Sequence, residues 1–438
     1  MSSNNGKKFL FFFLLLVIVG LSGTYVFYAE KELPRVELSP KTGFVTAKTP
    51  LEVIVRDSKS GLSRVSVAVT QGQKTQSPVT EDLGKDVREW RSRLELEGLG
   101  LEDGSLQVRV SARDRSWKNF FQGNEQVQNY SLVLDTRAPR IQMETFRHNL
   151  NQGGAGLLGF STSEPIEQGG VVYGDAFFPA YATDEGRYYC LFAVPHTLDA
   201  DSEKPLVQVQ DRAGNIKRTG FRFHLNKRKF PTGEIQITEQ FLDSKMVHFQ
   251  EAFPDTQDHL KLFLKVNRIM REENRKRLQA IGRETVSRPL WSGRFLRQKG
   301  ARRSGFASRR TYLYQGQEID RQIHLGVDIA SLARAGVEAS NSGRVVYADW
   351  LGIYGQVVII DHGLGLQTLY AHLSEMAVQK GDRVEKGDVI GRTGATGMAG
   401  GDHLHFAVVI SGYPVNPVEW WDRNWVRNNI AGKLGLSD

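Results

Sequence analysis

The chain has 438 residues, which is too long for one ordinary hydrophobic core and indicates about three domains. Hydrophobic residues make up 40% and charged residues 24%, the usual proportions of folded soluble protein, so no long disordered region is required. The single cysteine, Cys190, excludes an intrachain disulfide and a cysteine-based zinc site, and its apolar neighbours predict a buried, unreactive thiol.

The net charge of +8 is unevenly distributed. Residues 268–310 contain fourteen Lys or Arg and three acidic residues. This basic segment is consistent with a solvated helix face followed by an exposed linker. Alternatively, it contacts an anionic surface such as membrane lipid or a wall polymer. It has no nucleic-acid motif, so no nucleic-acid partner is expected.

The N-terminus carries a membrane-spanning pattern. Lys7 and Lys8 precede the apolar run Phe9–Tyr28, which is long enough to cross a bilayer as a helix. Basic residues before the run favour a cytoplasmic N-terminus. We therefore expect residues 1–30 to be an uncleaved, single-pass anchor in the cytoplasmic (inner) membrane, with the rest in the periplasm or outside the cell. A cleavable signal peptide is the alternative.

Residues 31–138 and 139–228 are predicted to form two β modules. Alternating apolar residues mark strands at Val65–Val69 and Leu106–Ala112, and again at Leu206–Val209 and Phe221–Leu225. An Asp/Asn turn follows in each module, at 114–119 and at 211–215. The repeat resembles bacterial immunoglobulin-like modules, which implies two β-sandwiches. They are interpreted as spacers; the alternative is that they bind an envelope partner or cover the active site.

Residues 229–311 are predicted to be a helical and basic connector. A helical pattern runs from Pro254 to Gly282, with an apolar face and a glycine able to end it. That face comprises Leu262, Val266, Ile269, Leu278 and Ile281. From Arg283 to Arg310 the basic, glycine-containing sequence predicts a loop.

The C-terminal third contains two spaced motifs of metal-ligating residues. The first is His324-Leu-Gly-Val-Asp328 and the second is His403-Leu-His405. In an extended strand, residues two or four apart point to the same face, so each pair is expected to project together. Two His and one carboxylate leave an open position on a tetrahedral Zn²⁺, the arrangement of a catalytic site. A spare histidine can then take a proton or hold an oxyanion.

With its surroundings, this pattern resembles the lysostaphin-type (LytM-domain) zinc endopeptidases. The resemblance covers about 110 residues, from Tyr312 to Trp421, and includes the segments Tyr354–Gly363, Tyr370–Ser374 and Gly387–Gly391. It implies a compact antiparallel sheet with a groove, in a domain spanning 312–425 and followed by a tail, 426–438. The strands expected within it are Val345–Tyr347, Val357–Ile360, Gln367–Tyr370, Val389–Ile390 and His405–Ile410.

The resemblance also implies the roles of the site residues. His324, Asp328 and His405 would bind one Zn²⁺ per chain, and His372 and His403 would be the catalytic pair beside the attacking water. Two positions depart from the family pattern. Ala407 replaces a common acidic residue and Asp402 replaces a common proline, which affects the surroundings of the ligands and the fit of the substrate, not metal binding.

Other conspicuous residues are interpreted structurally. His362 follows an aliphatic strand and is expected to be structural. The segment Gly391–Gly401 lacks the ending of a phosphate loop and is expected to be a mobile loop bordering the groove. Trp420 and Trp421 are expected to close the domain by packing.

The predicted fold class is therefore mainly β: a transmembrane helix, two immunoglobulin-like sandwiches, a helical connector and an antiparallel peptidase domain. The predicted function is zinc-dependent hydrolysis of the peptide stems and cross-links of bacterial peptidoglycan during wall growth, remodelling or division. The alternative is a non-hydrolytic scaffold or an activator of a separate hydrolase. Relatives of that kind have typically lost zinc ligands, whereas the ligand set here is complete.

Overall fold

The computed structural model describes residues 4–197 and 204–436. The chain folds into two compact units. The first comprises Met1–Ala138 with Gln210–Ile216, and the second comprises Pro139–Val209 with Lys217–Asp438. The domain boundaries expected from the sequence remain predictions.

The chain begins with a long apolar helix, α1 (Asn4–Tyr28). Its stretch Lys8–Tyr25 has a mean hydropathy of 2.0, and none of it is buried against the rest of the protein. A helix of 25 residues is about 37 Å long, more than the hydrocarbon thickness of a bilayer. By length and composition, α1 can therefore cross a membrane once.

The first unit is built from two packed sheets. One has the strand order β1-β3-β6 and the other β2-β8-β7-β4-β5. Val65, Val67 and Val69 are fully buried between them, as the alternation predicted. The elements are β1 (Arg35–Ser39), β2 (Gly43–Val45), β3 (Leu51–Arg56), β4 (Leu62–Gln71), β5 (Lys74–Asp82), β6 (Glu89–Leu94), β7 (Gly104–Asp114), α2 (Lys118–Phe121) and β8 (Glu125–Leu134).

The Asp/Asn repeat seen in the sequence has a structural counterpart, but in the first module the asparagine is Asn124, which lies outside the predicted segment 114–119. The Asn124 side-chain amide donates hydrogen bonds to Asp114 Oδ2 (2.7 Å) and to the Glu30 carbonyl (3.1 Å).

The second copy has the same arrangement. The Asn215 side-chain amide donates hydrogen bonds to Asp211 Oδ2 and to the Asp135 carbonyl, both at 2.9 Å. Each Asp–Asn pair thus holds the chain segment that leads into its module.

The second β module contains sheets in the orders β14-β15-β11-β9 and β13-β12-β16-β17, plus the pair β10-β18. The strand expected over Phe221–Leu225 is wrong in extent, since only its end lies in β18. Cys190 is buried on β15, and burial raises its pKa to about 12, as expected of an unreactive thiol. The strands are β9 (Ile141–Met143), β10 (Asn149–Asn151), β11 (Ala155–Thr162), β12 (Gln168–Tyr173), β13 (Ala176–Pro179), β14 (Tyr181–Ala182), β15 (Arg187–Ala193), β16 (Leu206–Gln210), β17 (Ile216–Gly220) and β18 (His224–Asn226).

The connector forms a strand and a bent series of helices. These are β19 (Thr232–Ile237), α3 (Glu239–Met246), a 3₁₀ turn (Val247–Phe249), α4 (His259–Lys265), a π turn (Val266–Met270) and α5 (Arg271–Ile281). The predicted helix begins at the cap Asp258 and ends at Gly282. Ile269 was placed on the apolar face but is 48% exposed, because the π turn adds a residue and rotates it outward.

The C-terminal domain is dominated by one sheet with the order β20-β23-β31-β27-β26-β25-β29, and β32 pairs with β31. Smaller sheets, β19-β21-β22 and β24-β30-β28, flank it. The elements are β20 (Ala301–Ser304), β21 (Ser308–Tyr314), β22 (Gln317–His324), β23 (Val327–Ala330), β24 (Gly336–Glu338), β25 (Gly343–Trp350), a 3₁₀ turn (Gly352–Tyr354), β26 (Gln356–Asp361), β27 (Leu366–Leu373), β28 (Glu375–Met376), β29 (Arg383–Val384), β30 (Val389–Arg392), β31 (Leu404–Ile410), β32 (Tyr413–Val415), α6 (Pro417–Trp421), α7 (Arg423–Val426), a π turn (Arg427–Ala431) and α8 (Gly432–Leu434).

Every strand expected in this domain is present, and the fold class is mainly β, as predicted. The loop expected from Arg283 to Arg310 is wrong at its end, where β20 and β21 lie. These basic strands form because their backbone pairs with β23 and β22. That partnership depends on tertiary structure, so the composition of the segment did not reveal it.

Within the second unit, the C-terminal domain packs on the second β module through a buried carboxylate. Glu419 accepts hydrogen bonds from the Asn151 side chain (2.5 Å) and from the backbone N–H of Ala155 (3.0 Å). A Cβ on Gly154 would lie 2.4 Å from this carboxylate, so glycine leaves the room for it. Next to it, Trp420 is fully buried, which confirms its packing role.

Candidate metal centre and groove

The side chains of His324, Asp328 and His405 meet at one point. Nε2 of His324 lies 2.9 Å from Oδ1 of Asp328 and 2.9 Å from Nδ1 of His405. Nδ1 of His405 lies 3.1 Å from the same Asp328 oxygen. Two imidazole nitrogens and one carboxylate oxygen are the ligand types of a catalytic Zn²⁺. The three residues therefore fit a metal ion.

Two sheets deliver these side chains. Asp328 on β23 lies directly opposite His405 on the neighbouring strand β31. His324 is the last residue of β22, in the flanking sheet. The expectation that His324 and Asp328 share one strand is wrong, because the chain leaves the strand conformation at Leu325 and Gly326. They meet because the ends of two strands in different sheets adjoin.

The ligand side chains are held from behind by residues that sequence reasoning missed. Nδ1 of His324 lies 3.0 Å from the Gly305 carbonyl and 3.1 Å from Ser304 Oγ. A protonated Nδ1 donates to the carbonyl and leaves the Nε2 lone pair free for a metal. Arg310 Nη2 donates to Asp328 Oδ2 (2.6 Å) and to Ser304 Oγ (2.9 Å). In the sequence, Ser304, Gly305 and Arg310 were distinguished only by lying in the basic segment.

His405 is positioned by close packing. Its Nε2 is buried and has no hydrogen-bond partner among the residues that the structure describes. A Cβ on Gly326 would lie 2.6 Å from Cε1 and Nε2 of this ring, so only glycine allows the ring to approach the backbone. The Tyr354 ring packs on the imidazole with a centroid distance of 5.5 Å. These contacts direct Nδ1 of His405 toward the other two ligands.

His372 and His403 lie beside the three ligands. Their ring centroids are 4.9 Å apart, and that of His372 is 5.8 Å from that of His405. Nδ1 of His372 lies 2.9 Å from the Thr396 carbonyl, and Nδ1 of His403 lies 2.8 Å from the Gly401 carbonyl. Both rings thus donate through Nδ1 and keep Nε2 available for proton exchange. His372 has a φ of +62°, a left-handed conformation that is strained for a non-glycine residue.

Burial and mutual contacts shift the pKa values of these groups. Burial by itself would raise the pKa of Asp328, but contacts with His324, His403 and His405 hold it well below its usual range. Burial lowers the pKa of His405 to about 4 and that of His372 well below its usual value. Burial also opposes protonation of His403, but its contact with Asp328 outweighs this effect and raises the pKa. His405 and His372 are consequently neutral at pH 7, as a metal ligand and a proton acceptor require.

His362 lies apart from this cluster. Its Nδ1 is 2.7 Å from the Ser342 carbonyl and its Nε2 is 2.8 Å from Thr368 Oγ1. Its side chain is fully buried, and burial lowers its pKa to about 4. With both nitrogens bonded inside the core, His362 has the structural role expected from the sequence.

The three metal-ligand side chains and the two histidines beside them line a groove of about 1090 Å³. One part of its lining consists of β19 and part of α3, and another part includes Met398, Ala399 and Gly400. The glycine-rich segment therefore borders the groove, as predicted. Lys245 of α3 donates a 2.7 Å hydrogen bond to the carbonyl of Ala395, which ties these two parts together at one end.

The groove wall next to the metal centre is cationic. Arg302 and Arg303 on β20 line it, together with Arg310. The pairing of β20 with β23 shifts register between Arg302 and Ser304, so Arg303 lies in a β-bulge, a device that re-aims side chains near active sites. Neither Arg302 nor Arg303 forms an ion pair with any residue that the structure describes. Their charges are therefore available to a ligand.

Comparison with known proteins agrees with this geometry. Residues 322–417 match the model of Peptidase family M23. Over 97 residues the chain is 43% identical to the DD-carboxypeptidase/endopeptidase Mpg of Neisseria meningitidis serogroup B, covering 22% of each protein. Over 96 residues it is 38% identical to the peptidoglycan DD-endopeptidase ShyA of Vibrio cholerae, again covering 22% of each.

Another relative is not named as a peptidase. The chain is 37% identical over 98 residues to the murein hydrolase activator EnvC of Escherichia coli, covering 22% of this chain and 23% of EnvC. The chain thus spans less than a quarter of the length of each of these relatives. All three similarities are short and have the extent of one domain. The chain carries a C-terminal domain of the M23 metallopeptidase family.

Proposed function

We propose that this protein is a membrane-anchored, zinc-dependent endopeptidase that hydrolyses peptide bonds in bacterial peptidoglycan. The observation that carries the proposal is the convergence of His324 Nε2, Asp328 Oδ1 and His405 Nδ1, with two further imidazoles beside them. A carboxylate and two histidines that are fixed by neighbouring contacts fit a catalytic zinc site rather than a structural one, which would be closed by a fourth protein ligand.

The chemistry is divided between the ion and the two flanking histidines. Zn²⁺ bound to the three ligands would supply Lewis acidity toward the scissile carbonyl and toward water. His372 is neutral because it is buried, and its Nε2 can accept the proton of an attacking water. His403 keeps its proton more readily, and its Nε2 can donate to the developing oxyanion. The proton taken by His372 is then available to the leaving amine.

The substrate assignment rests on the groove and on the relatives. The groove of about 1090 Å³ is large enough for a peptide strand, and its wall next to the metal centre is cationic. ShyA and Mpg are named as endopeptidases, and ShyA as one that acts on peptidoglycan. The helix α1 would hold the domain at the outer face of the cytoplasmic membrane, where a peptidase can reach the organism's own wall. These points together favour cross-link peptides as the substrate.

The alternative is that the protein activates a separate hydrolase, as the name of EnvC states for that relative. An activator does not need a reactive centre. Here the ligands, the contacts behind them and both flanking histidines form one continuous arrangement. That arrangement supports hydrolysis.

The test uses the full-length protein in detergent, loaded with zinc and incubated with purified sacculi. Wild type should release peptide-cleaved products that mass spectrometry identifies. His403→Ala should still bind one zinc but lose about 10²-fold or more in rate, because one proton-exchange group is removed. His405→Ala should lose zinc, measured by elemental analysis. His248→Ala, an exposed histidine outside the groove, is the matched control and should behave as wild type.

Full activity in His403→Ala would contradict the assigned mechanism. Zinc-loaded wild type that releases nothing by itself, but accelerates an added murein hydrolase, would establish the activator function instead. The masses of the released products would also identify the bond that is cut.

A further inference from the structure

Three buried carboxylates lie together at the start of the first β module, far along the chain from the catalytic domain. Glu30, Asp57 and Asp114 are only 7%, 5% and 1% exposed. One oxygen from each lies within 4.8 Å of the others. Glu30 lies two residues after the end of α1, Asp57 follows strand β3, and Asp114 is the last residue of strand β7.

Backbone groups satisfy only part of this cluster. Asp57 Oδ1 accepts from the N–H groups of Lys59 (3.1 Å) and Gly61 (2.6 Å). Glu30 Oε1 accepts from the N–H of Ser60 (2.8 Å). The second oxygen, Glu30 Oε2, is buried and has no hydrogen-bond partner in the described part of the chain. A buried carboxylate oxygen without a donor is costly, so its retention indicates a missing partner.

The charge of the cluster is also unbalanced. The donors to Asp114 are neutral: its Oδ1 accepts from the N–H groups of Ser116 (2.9 Å) and Asn124 (2.6 Å). Its Oδ2 accepts only from the Asn124 side-chain amide (2.7 Å) among the bonds of the described residues, which leaves a lone pair for a ligand. The nearest recorded cation is Lys59, whose Nζ lies 3.9 Å from Glu30 Oε2. That lysine is 53% exposed and lies closer to another carboxylate, Glu32, at 3.2 Å. Three buried negative charges thus share one distant, solvated positive charge.

We propose that Glu30, Asp57 and Asp114 bind a calcium ion. Hard oxygen ligands suit Ca²⁺, and ligands at its usual bond lengths of about 2.3–2.6 Å lie at most about 5 Å apart. The ion would supply the partner that Glu30 Oε2 lacks and would neutralise the cluster. It would also fasten the segment that leaves the membrane helix to the strand ends of the first module. Calcium would therefore stiffen the attachment of this module to its anchor.

The experiment measures thermal unfolding of the full-length protein in detergent, with 10 mM CaCl₂ or with EGTA. Extracellular calcium modules have dissociation constants of about 10⁻⁴–10⁻³ M. At 10 mM, calcium should therefore increase the melting temperature of the first unit by about 5–10 °C. Glu30→Gln and Asp57→Asn keep the oxygens that cap the backbone but remove charge. Asp82→Asn, an exposed carboxylate of the same module, is the matched control.

For Glu30→Gln and Asp57→Asn, the difference in melting temperature from wild type should change sign between EGTA and calcium. In EGTA they should melt at or above the wild-type temperature, because charge repulsion is relieved. In calcium they should melt below wild type, because the ion no longer binds, while Asp82→Asn should follow wild type throughout. Calorimetric titration should show one calcium site that Glu30→Gln lacks. EGTA also removes zinc, but it does so from wild type and variants alike, so the comparison is made between proteins within each condition.

Equal calcium responses in wild type and Glu30→Gln would overturn the proposal. So would variants that are destabilised equally in calcium and in EGTA, since the carboxylates would then act only through hydrogen bonds. A larger response to magnesium than to calcium would overturn the choice of ion.

Discussion

The guanidinium of Arg310 lies 2.6 Å from Oδ2 of Asp328, while the three histidines contact the other oxygen, Oδ1. The arginine therefore fixes the orientation of the one carboxylate in the metal centre without occupying the ligand oxygen. Arg310 is largely buried, and it also donates to Ser304, so it connects the ligands of both sheets.

Replacing Arg310 by Gln should weaken zinc binding. Partners behind metal ligands typically contribute about 10–100-fold in affinity or activity, because they restrict ligand motion. We expect an increase of about tenfold in the zinc dissociation constant, measured by competition with a chelator of known affinity. Arg309→Gln, on the exposed side of the same strand, is the control. Tighter zinc binding in Arg310→Gln would show that the positive charge opposes the ion more than it orders Asp328.

Replacing Gly326 by Ala should displace His405. The added Cβ would lie 2.6 Å from the imidazole, inside any real contact distance, so the ring must move. We expect at least a tenfold loss of zinc affinity with a nearly unchanged far-UV circular dichroism spectrum. Gly336→Ala, whose Cβ would have its nearest neighbour at 4.0 Å, should bind zinc as wild type does. Equal zinc affinity in both variants would mean that His405 does not need this approach.

Replacing Arg302 and Arg303 by Gln should weaken recognition of acidic peptides. Both side chains line the groove, and a charge-assisted hydrogen bond to a carboxylate contributes about 1.5–3 kcal/mol, or about tenfold or more in affinity. We expect KM to rise about tenfold with kcat little changed for a peptide with free carboxylates. The same peptide with carboxamides should be insensitive to the substitution. Equal effects on both peptides would exclude carboxylate recognition by these arginines.

Replacing Glu419 by Gln should change how stability depends on pH. Burial raises the pKa of Glu419 from 4.5 to about 7, although hydrogen bonds from Asn151 and Ala155 oppose this. The folded state therefore binds the proton more tightly, and the stabilisation is complete below pH 4.5 and lost as pH rises through 7. A shift of this size corresponds to about 3 kcal/mol.

Chemical unfolding of the second unit at pH 5 and pH 8 measures this effect. Buried histidines with lowered pKa values contribute equally to both proteins, so the effect of Glu419 is the difference in stability between wild type and Glu419→Gln. Between pH 5 and pH 8, wild type should lose about 2–3 kcal/mol relative to the variant. Because Gln has one oxygen for two donors, the variant should be about 1 kcal/mol less stable than wild type at pH 5. The exposed Glu385→Gln is the control. An equal difference between wild type and Glu419→Gln at both pH values would show that the carboxylate stays ionised.

The sequence alone determined the features that depend on local periodicity. An apolar run without charges can be satisfied only as a buried or membrane-spanning helix, and α1 (Asn4–Tyr28) contains the whole predicted run Phe9–Tyr28. Alternation with a period of two forces one face of a strand inward, so Val65–Val69 was recognisable as a strand. The two histidine motifs supplied four candidate ligands, and the family resemblance selected His324, Asp328 and His405, whose side chains meet in the structure.

Tertiary structure alone decided which segments lie next to one another. His324 and Asp328 reach one point from two sheets, and the basic segment becomes strand β20 only because β23 offers backbone partners. Arg310 and Glu419 acquire their roles from residues distant in sequence. The carboxylates of Glu30 and Asp114 likewise meet only in the folded module. Periodicity encodes which face of an element is buried; the partner that covers it is chosen by backbone pairing and packing across the whole chain, which no local pattern records.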